Sequence, residues 1–220
     1  MIRFHLITLF PEACEAYLSA SILGRARTNK KISVNYESPR TYVTNRWGKV
    51  DERPYGGGPG MVMTALPVVK AVKKSLGRRK GEKAIIWFSP SGKQFTNKDA
   101  DLLGKYDEVA FVCGRYEGID ERAKKIVATM GTLKTYAVGE AVYTGGEVPA
   151  LAMIDAITRR IPGVLGKDES VEERRVAAPD VYTRPEVIEW EGKKYKVPPV
   201  LKTGDHKKID EFRAKKLKGK

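Results

Sequence analysis

The sequence predicts an α/β protein built on a largely parallel sheet over roughly its first 160 residues. Two observations carry that expectation. Three mostly apolar runs of strand length, RFHLITLF (Arg3–Phe10), AIIWF (Ala84–Phe88) and EVAFVCG (Glu108–Gly114), read as buried strands, AIIWF without a single polar residue. Between them lie stretches with apolar residues at helical spacing, an alternation that sets strands side by side in one direction.

Each element follows from local chemistry. Pro11 closes the first strand, and Glu12–Arg27 carries Tyr17, Leu18, Ile22 and Leu23 at helical spacing. Lys31–Glu37 is a short second strand, and Ser38–Arg53 is polar, aromatic and irregular. Val68–Leu76 is helical and runs into the basic stretch Arg78–Lys80. AIIWF stops at the turn SPSG, Ser89–Gly92. Thr96–Asp99 has the spacing at which a threonine and an acid three residues on satisfy the first free N–H groups of a helix, here Ala100–Leu103. Ile119–Met130 is the next helix, and Leu133–Ala150 passes from a strand into a glycine loop. Ala150–Arg160 reads as a strongly amphipathic helix broken by Pro162 and Gly163.

Beyond Gly166 the composition changes, and KDESVEERR (Lys167–Arg175) has hardly an apolar anchor. The expected organisation is a main domain over 1–163, a flexible linker over 164–178 and a short basic segment over 179–220. That last segment is too small to bury a core alone and is expected to dock on the main domain or on a second subunit.

The net charge of +14 is unevenly spread: Lys193–Lys220 holds eleven Lys/Arg against three acids. A basic end on an otherwise balanced chain suggests contacts with a phosphate backbone, although lysine-rich helices also serve as plain solvated faces. Cys14 and Cys113 are the only cysteines, which fits two reduced thiols in a cytosolic protein better than a zinc site or a disulfide. No apolar run approaches the length of a membrane span. A soluble, cytoplasmic protein without a membrane partner is expected.

Two runs stand out. RPYGGGPGM (Arg53–Met61) packs four glycines and two prolines into Pro54–Gly60, a density that excludes helix and strand interiors. It reads as a shaped loop where backbone approaches a ligand or another chain. CGRYEGIDER (Cys113–Arg122) masses Arg115, Tyr116, Glu117, Asp120, Glu121 and Arg122 around a glycine turn at the end of a buried strand. Ligands of open α/β sheets bind outside such strand ends. The usual phosphate fingerprints, G-x-x-x-x-G-K-[ST] and G-x-G-x-x-G, are missing. His5 and His206 are too few and too isolated for a metal cluster, and His5 in an apolar strand reads as a core residue. What remains is three strand-following loops, Ser89–Gly92, Gly114–Gly118 and Gly139–Gly146, whose main-chain groups could read an adenine edge.

These residues carry a resemblance. RPYGGGPGM, SPSG, CGRYEGIDER, AVGEAVYTGGEVPA, RRIPGVLG, YTRPEV and VPPVLKTGDH, in this order, resemble the bacterial tRNA (guanine-37-N1)-methyltransferases of the SPOUT, or trefoil-knot, superfamily. The match runs from Phe10 to about Lys207. The resemblance implies a deeply knotted α/β domain, a homodimer, and S-adenosylmethionine bound in the knot. It implies methyl transfer to N1 of guanosine 37 in the anticodon arm of tRNA. By the same carry-over the cofactor would be held by Trp87 and Phe88 through their backbone, with Ser89 and Gly92, then Gly114, Tyr116 and Glu117, then Val138, Gly139, Tyr143, Gly145 and Gly146. Arg159 matches the catalytic arginine. The resemblance alone brings in magnesium, and no residue cluster in the sequence assigns it ligands.

The chain departs from the family pattern in three places. Ala141 stands where an aromatic residue is frequent, and Ala178 where the family has its aspartate. Attack by guanine N1 requires that its proton be removed, so a carboxylate base is needed beside a cation facing O6. Asp180, two positions on, is the candidate base, with Glu172 and Glu173 as substitutes. The chain also ends after one basic helix, about His206–Lys218, where the family continues with further helices. These departures keep two alternatives open: a tRNA-binding dimer with weak or lost methyl transfer, and a SPOUT enzyme acting at another RNA position.

Overall fold

The computed structural model describes residues 1–165 and 180–218, the side chains of 215–218 excepted. The chain divides into two compact units, Met1–Leu165 and Gly166–Lys220.

In the first unit five strands form one sheet: β1 (Ile2–Ile7), β2 (Ile32–Glu37), β5 (Lys83–Gln94), β6 (Glu108–Val112) and β7 (Thr132–Ala137). Their order is β2-β1-β6-β5-β7, and every neighbouring pair is parallel. Because side chains alternate along a strand, the apolar runs feed two cores. Phe4, Leu6, Ile86 and Phe111 face helices α1 (Pro11–Leu18), α2 (Ser21–Thr28), α4 (Asn97–Leu103) and α6 (Glu147–Thr158). Ile7, Ile85, Trp87 and Val112 face α3 (Ala65–Leu76) and α5 (Glu121–Val127). The result is the three-layered parallel α/β architecture expected from the uninterrupted strands.

Several elements differ in detail. The helix expected over Glu12–Arg27 is two helices, parted at Ser19–Ala20, because Ser21 takes a left-handed φ of 48° that no continuous helix accommodates. The irregular stretch 38–53 holds a 3-10 turn at Pro39–Tyr42 and ends in β3 (Asp51–Glu52), which pairs antiparallel with β4 (Val62–Met63). RPYGGGPGM is therefore the tip of a small ribbon. Gly56, Gly57, Gly58 and Gly60 all have positive φ, which is why side-chain-bearing residues are absent there. The expected threonine–aspartate cap is present at α4, where Thr96 and Asp99 bond reciprocally. The last helix of this unit starts at Glu147 rather than Ala150. It is less two-faced than its sequence suggested, since Val148 is 56% exposed on its outer side.

His5 behaves as a core residue. Its Nε2 lies 2.8 Å from Glu108 Oε2, and both side chains are buried. Burial holds its pKa below 6.5 despite the adjacent carboxylate. Cys14 and Cys113 are free and buried, and burial pushes the Cys14 thiol up to about 11. Neither is a nucleophile at neutral pH.

The second unit contains a hairpin, β8 (Val187–Trp190) and β9 (Lys193–Lys196), then a 3-10 turn at Pro199–Lys202 and helix α7 (His206–Lys218). The hairpin turns on Glu191 and Gly192, both with positive φ, the combination a two-residue turn of matching twist requires. Among the described residues no helix is long and apolar enough to cross a membrane.

Candidate active site

The loops that follow β6 and β7 meet the 89–92 excursion within β5. They enclose a cavity of about 370 Å3, the size of a small-molecule site. Phe88 and Ser89 line it from β5, Gly114, Tyr116 and Glu117 from the loop after β6, and Val138, Tyr143, Gly145 and Gly146 from the loop after β7. Three of the expected cofactor residues do not line it. Trp87 is only 6% exposed and points into the opposite core, as alternation along β5 demands once Phe88 faces the first. Gly92 packs against the backbone of Tyr136 and Ala137, and the Gly139 carbonyl accepts a hydrogen bond from Gln94 at 3.1 Å. These glycines shape the walls from behind. Among the residues the cavity adds are Pro90, Arg115, Tyr136 and Pro149, and of these Tyr136 and Pro149 had no signal in the sequence beyond their places in a strand and a helix.

The walls are held by short backbone approaches. Gly146 N–H donates to the Gly114 carbonyl at 3.0 Å, which joins the loop after β7 to the loop after β6. A Cβ on Gly146 would sit 2.6 Å from Cys113 Cα. Tyr116 has φ of 59°, a strained conformation for a residue with a side chain, and it stands half-exposed at the mouth. Tyr143 donates its hydroxyl to the Val138 carbonyl at 3.0 Å. It braces the loop in which Ala141 supplies no aromatic ring.

Beneath the cavity lies a buried polar network. Glu147 accepts from Thr8 Oγ1 at 2.6 Å and pairs with Arg115 Nε at 3.0 Å, without the alignment of a hydrogen bond. Arg115 also lies 4.6 Å over the Phe10 ring. The end of β1, the start of α6 and the CGRYEG loop are thereby locked together. That loop is joined to the glycine ribbon as well. Glu117 N–H donates to the Met61 carbonyl at 3.0 Å and Met63 N–H to the Gly118 carbonyl at 2.9 Å, so the two prominent motifs form one surface. A broad depression of about 1150 Å3 beside the ribbon is lined by Tyr42, Arg53, Tyr55, Leu66, Asp120 and Arg122.

Arg159 is the C-terminal cap of α6, and the N-cap of the same helix is Gly146 in the cavity wall. The helix has 12 residues, so the Arg159 backbone stands about 18 Å along its axis from the end that Gly146 caps, and about 15 Å from Pro149, the cavity residue furthest along the helix. Asp180 is described, exposed and in the second unit, whereas Glu172, Glu173 and Ala178 lie outside the described residues, as does most of 164–178. Among the described residues no group of three or more His, Cys, Asp or Glu could hold a metal ion.

A glycine-walled cavity beside the strand ends of a parallel sheet has the form of a small-molecule site in an α/β protein. Comparison with known proteins gives the family. The profile described as tRNA (guanine-1)-methyltransferase TrmD matches residues 2–220. A tRNA (guanine-N(1)-)-methyltransferase of Campylobacter jejuni (strain RM1221) is 40% identical over 94% of this chain and 88% of its own length. Its counterpart in Clostridioides difficile (strain 630) is 41% identical over 96% and 90%. The Buchnera aphidicola (subsp. Acyrthosiphon pisum) protein of the same name is 38% identical over 100% and 91%. The chain belongs to the tRNA (guanine-1)-methyltransferase family, whose fold is of the SPOUT type.

Proposed function

We propose that this chain transfers a methyl group from S-adenosylmethionine to N1 of guanosine 37 in tRNA. The observation that carries the reading is the cavity assembled from SPSG, GRYEG and AVGEAVYTGG, the motifs through which the family resemblance was drawn. Its size, its apolar Phe88, Val138 and Pro149 walls and its crowded glycine backbone fit an adenosyl group. When bound, S-adenosylmethionine supplies an electrophilic methyl group on sulfur. The protein's tasks are to orient it, to take the N1 proton and to stabilise charge on guanine O6. Asp180 takes the proton in this reading and Arg159 faces O6, with Glu172 and Glu173 as substitutes for the base.

The length of α6 between Arg159 and the cavity at its other end supports a homodimer, in which the arginine of one protomer serves the cavity of its partner. We assign 1–163 to a knotted SPOUT domain, 164–178 to a linker and 179–220 to a basic segment that contacts the anticodon arm. The site of action is the cytoplasm, where tRNA is modified. Labelled S-adenosylmethionine and tRNA transcripts with or without guanosine 37 test the reading. Incorporation only into transcripts with guanosine 37 is expected. Cofactor and tRNA binding without transfer would instead make the chain a binding protein, and equal labelling of both transcripts would move the target to another position.

A further inference from the structure

The regular pairing of β5 with β7 is interrupted at the cavity. Tyr136 of β7 is the register partner of both Phe88 and Lys93, so residues 89–92 bulge out and return to the same point. Ser89 and Pro90, on this excursion, form one wall of the cavity. The excursion closes tightly on the sheet, since a Cβ at Gly92 would lie 2.7 Å from the Tyr136 carbonyl carbon and 3.0 Å from Ser89 O. Its position is therefore set by whatever holds its return stem.

Beyond its backbone pairing with β7 and the Gln94 bond to Gly139, that stem is tied to one buried carboxylate through the largely exposed Lys93 side chain. Lys93 Nζ donates to Asp99 Oδ1 at 2.6 Å, and the Tyr136 hydroxyl donates to the same oxygen at 3.1 Å. The other oxygen, Oδ2, accepts from Thr96 N–H at 3.0 Å and from Thr96 Oγ1 at 2.6 Å. Asp99 is 4% exposed, and among the described residues its side-chain hydrogen bonds run to the excursion stem, to β7 and to the cap of α4. Burial pushes its carboxyl up, but the hydrogen bonds from Lys93, Thr96 and Tyr136 outweigh this and leave it lowered. Tyr136, pushed up to about 12 first by burial and then by Asp99, remains a donor. A helix cap needs only the Thr96 bonds; the Lys93 and Tyr136 bonds are additional and join the two strands that flank the cavity.

We propose that Asp99 is a positioning residue for the cofactor cavity, clamping the return stem of the 89–92 excursion to β7 and so fixing the wall made by Ser89 and Pro90. Asp99 touches no ligand; it acts through Lys93 and Tyr136. The link to the cofactor rests on the function proposed above, whereas the clamp itself does not.

The test uses the full chain with Lys93→Met, which removes the clamp and leaves the helix cap, beside Asp99→Asn and Lys93→Arg. Leu103→Val serves as a control that destabilises α4 without touching the stem. In the absence of cofactor, hydrogen exchange at the amides of Ser89, Ser91 and Gly92 should quicken roughly tenfold in Lys93→Met and Asp99→Asn, and return toward the parent in Lys93→Arg. KM for S-adenosylmethionine should rise about tenfold while kcat at saturating cofactor stays within about twofold. Parent-like exchange in Lys93→Met, or an equal quickening in Leu103→Val, overturns the clamp. Quickened exchange with an unchanged KM overturns its role in the cavity. A parent chain that binds no S-adenosylmethionine while the exchange result holds overturns the functional reading and leaves the clamp standing.

Discussion

Gly146 has no room for a side chain, and that fact is more exacting than any general preference for glycine in loops. Its Cβ would meet the Cys113 backbone at 2.6 Å and Gly114 N at 3.1 Å, whereas at Gly145 the nearest atoms belong to the Arg115 and Glu147 side chains. Gly146→Ala must therefore push the loop after β7 away from β6. A fall of at least tenfold in S-adenosylmethionine affinity by calorimetry is expected, about 1.4 kcal/mol. Unchanged binding by the folded variant would refute the glycine cradle. The proposed catalytic pair is tested at the same scale. Asp180→Asn should cut single-turnover methylation by about 10²–10⁴-fold and Arg159→Ala by about 10²–10³-fold, with cofactor affinity held. If only Glu172→Gln or Glu173→Gln loses activity, the base belongs to one of those glutamates. His5 supplies a pH prediction. Its folded pKa lies below 6.5, so the unfolded chain binds more protons in the window beneath 6.5. Stability conferred by neutral, buried His5 is thus present above that value and declines as pH falls through the window. Thermal melting of His5→Gln should show a shallower acid-side slope than the parent; identical slopes would remove His5 from the account.

Among the elements, α7 is the one whose composition speaks of a partner. Lys208 pairs with Asp205 and Arg213 with Asp210, each at 3.3 Å and one helical turn apart, on exposed surface. Such pairs are worth little and are easily exchanged for phosphate. Changing Lys207, Lys208 and Arg213 to Glu should weaken tRNA binding and flatten its dependence on salt while cofactor affinity is untouched. Equal slopes in parent and variant would make α7 a solvated face. The elements also show how far pattern reading reaches. Buried strands were legible because continuous apolar runs admit few other uses, and the Thr96–Asp99 cap because its chemistry is local. The break between α1 and α2 was not, since the helical spacing of Tyr17, Leu18, Ile22 and Leu23 runs across it and hides the positive φ of Ser21. The β8–β9 hairpin was missed although VIEW-EG-KKYK carries a two-residue turn between short strands; the dense charge of that region masked it.

For the whole molecule, the separation of Arg159 from the cavity makes the oligomeric state decisive. A homodimer burying on the order of 1,600 Å2 or more is expected, and light scattering at micromolar concentration should report twice the chain mass of 24.5 kDa. A monomer with full activity would end the shared-site proposal. The sequence by itself determined the class of fold, through strand-length apolar runs alternating with helices, and it determined the loops that matter, through glycines whose density excludes regular structure. Both are local properties, readable wherever backbone chemistry leaves little choice. Only the tertiary structure decided which of those loop residues face one cavity. Alternation along β5 turned Trp87 away and Phe88 inward, and the parallel register brought Ser89, Gly114 and Gly146 together from far apart in the chain. It also decided that a capping aspartate, Asp99, doubles as the clamp of the cavity wall, because Lys93 and Tyr136 meet it only once the strands have paired.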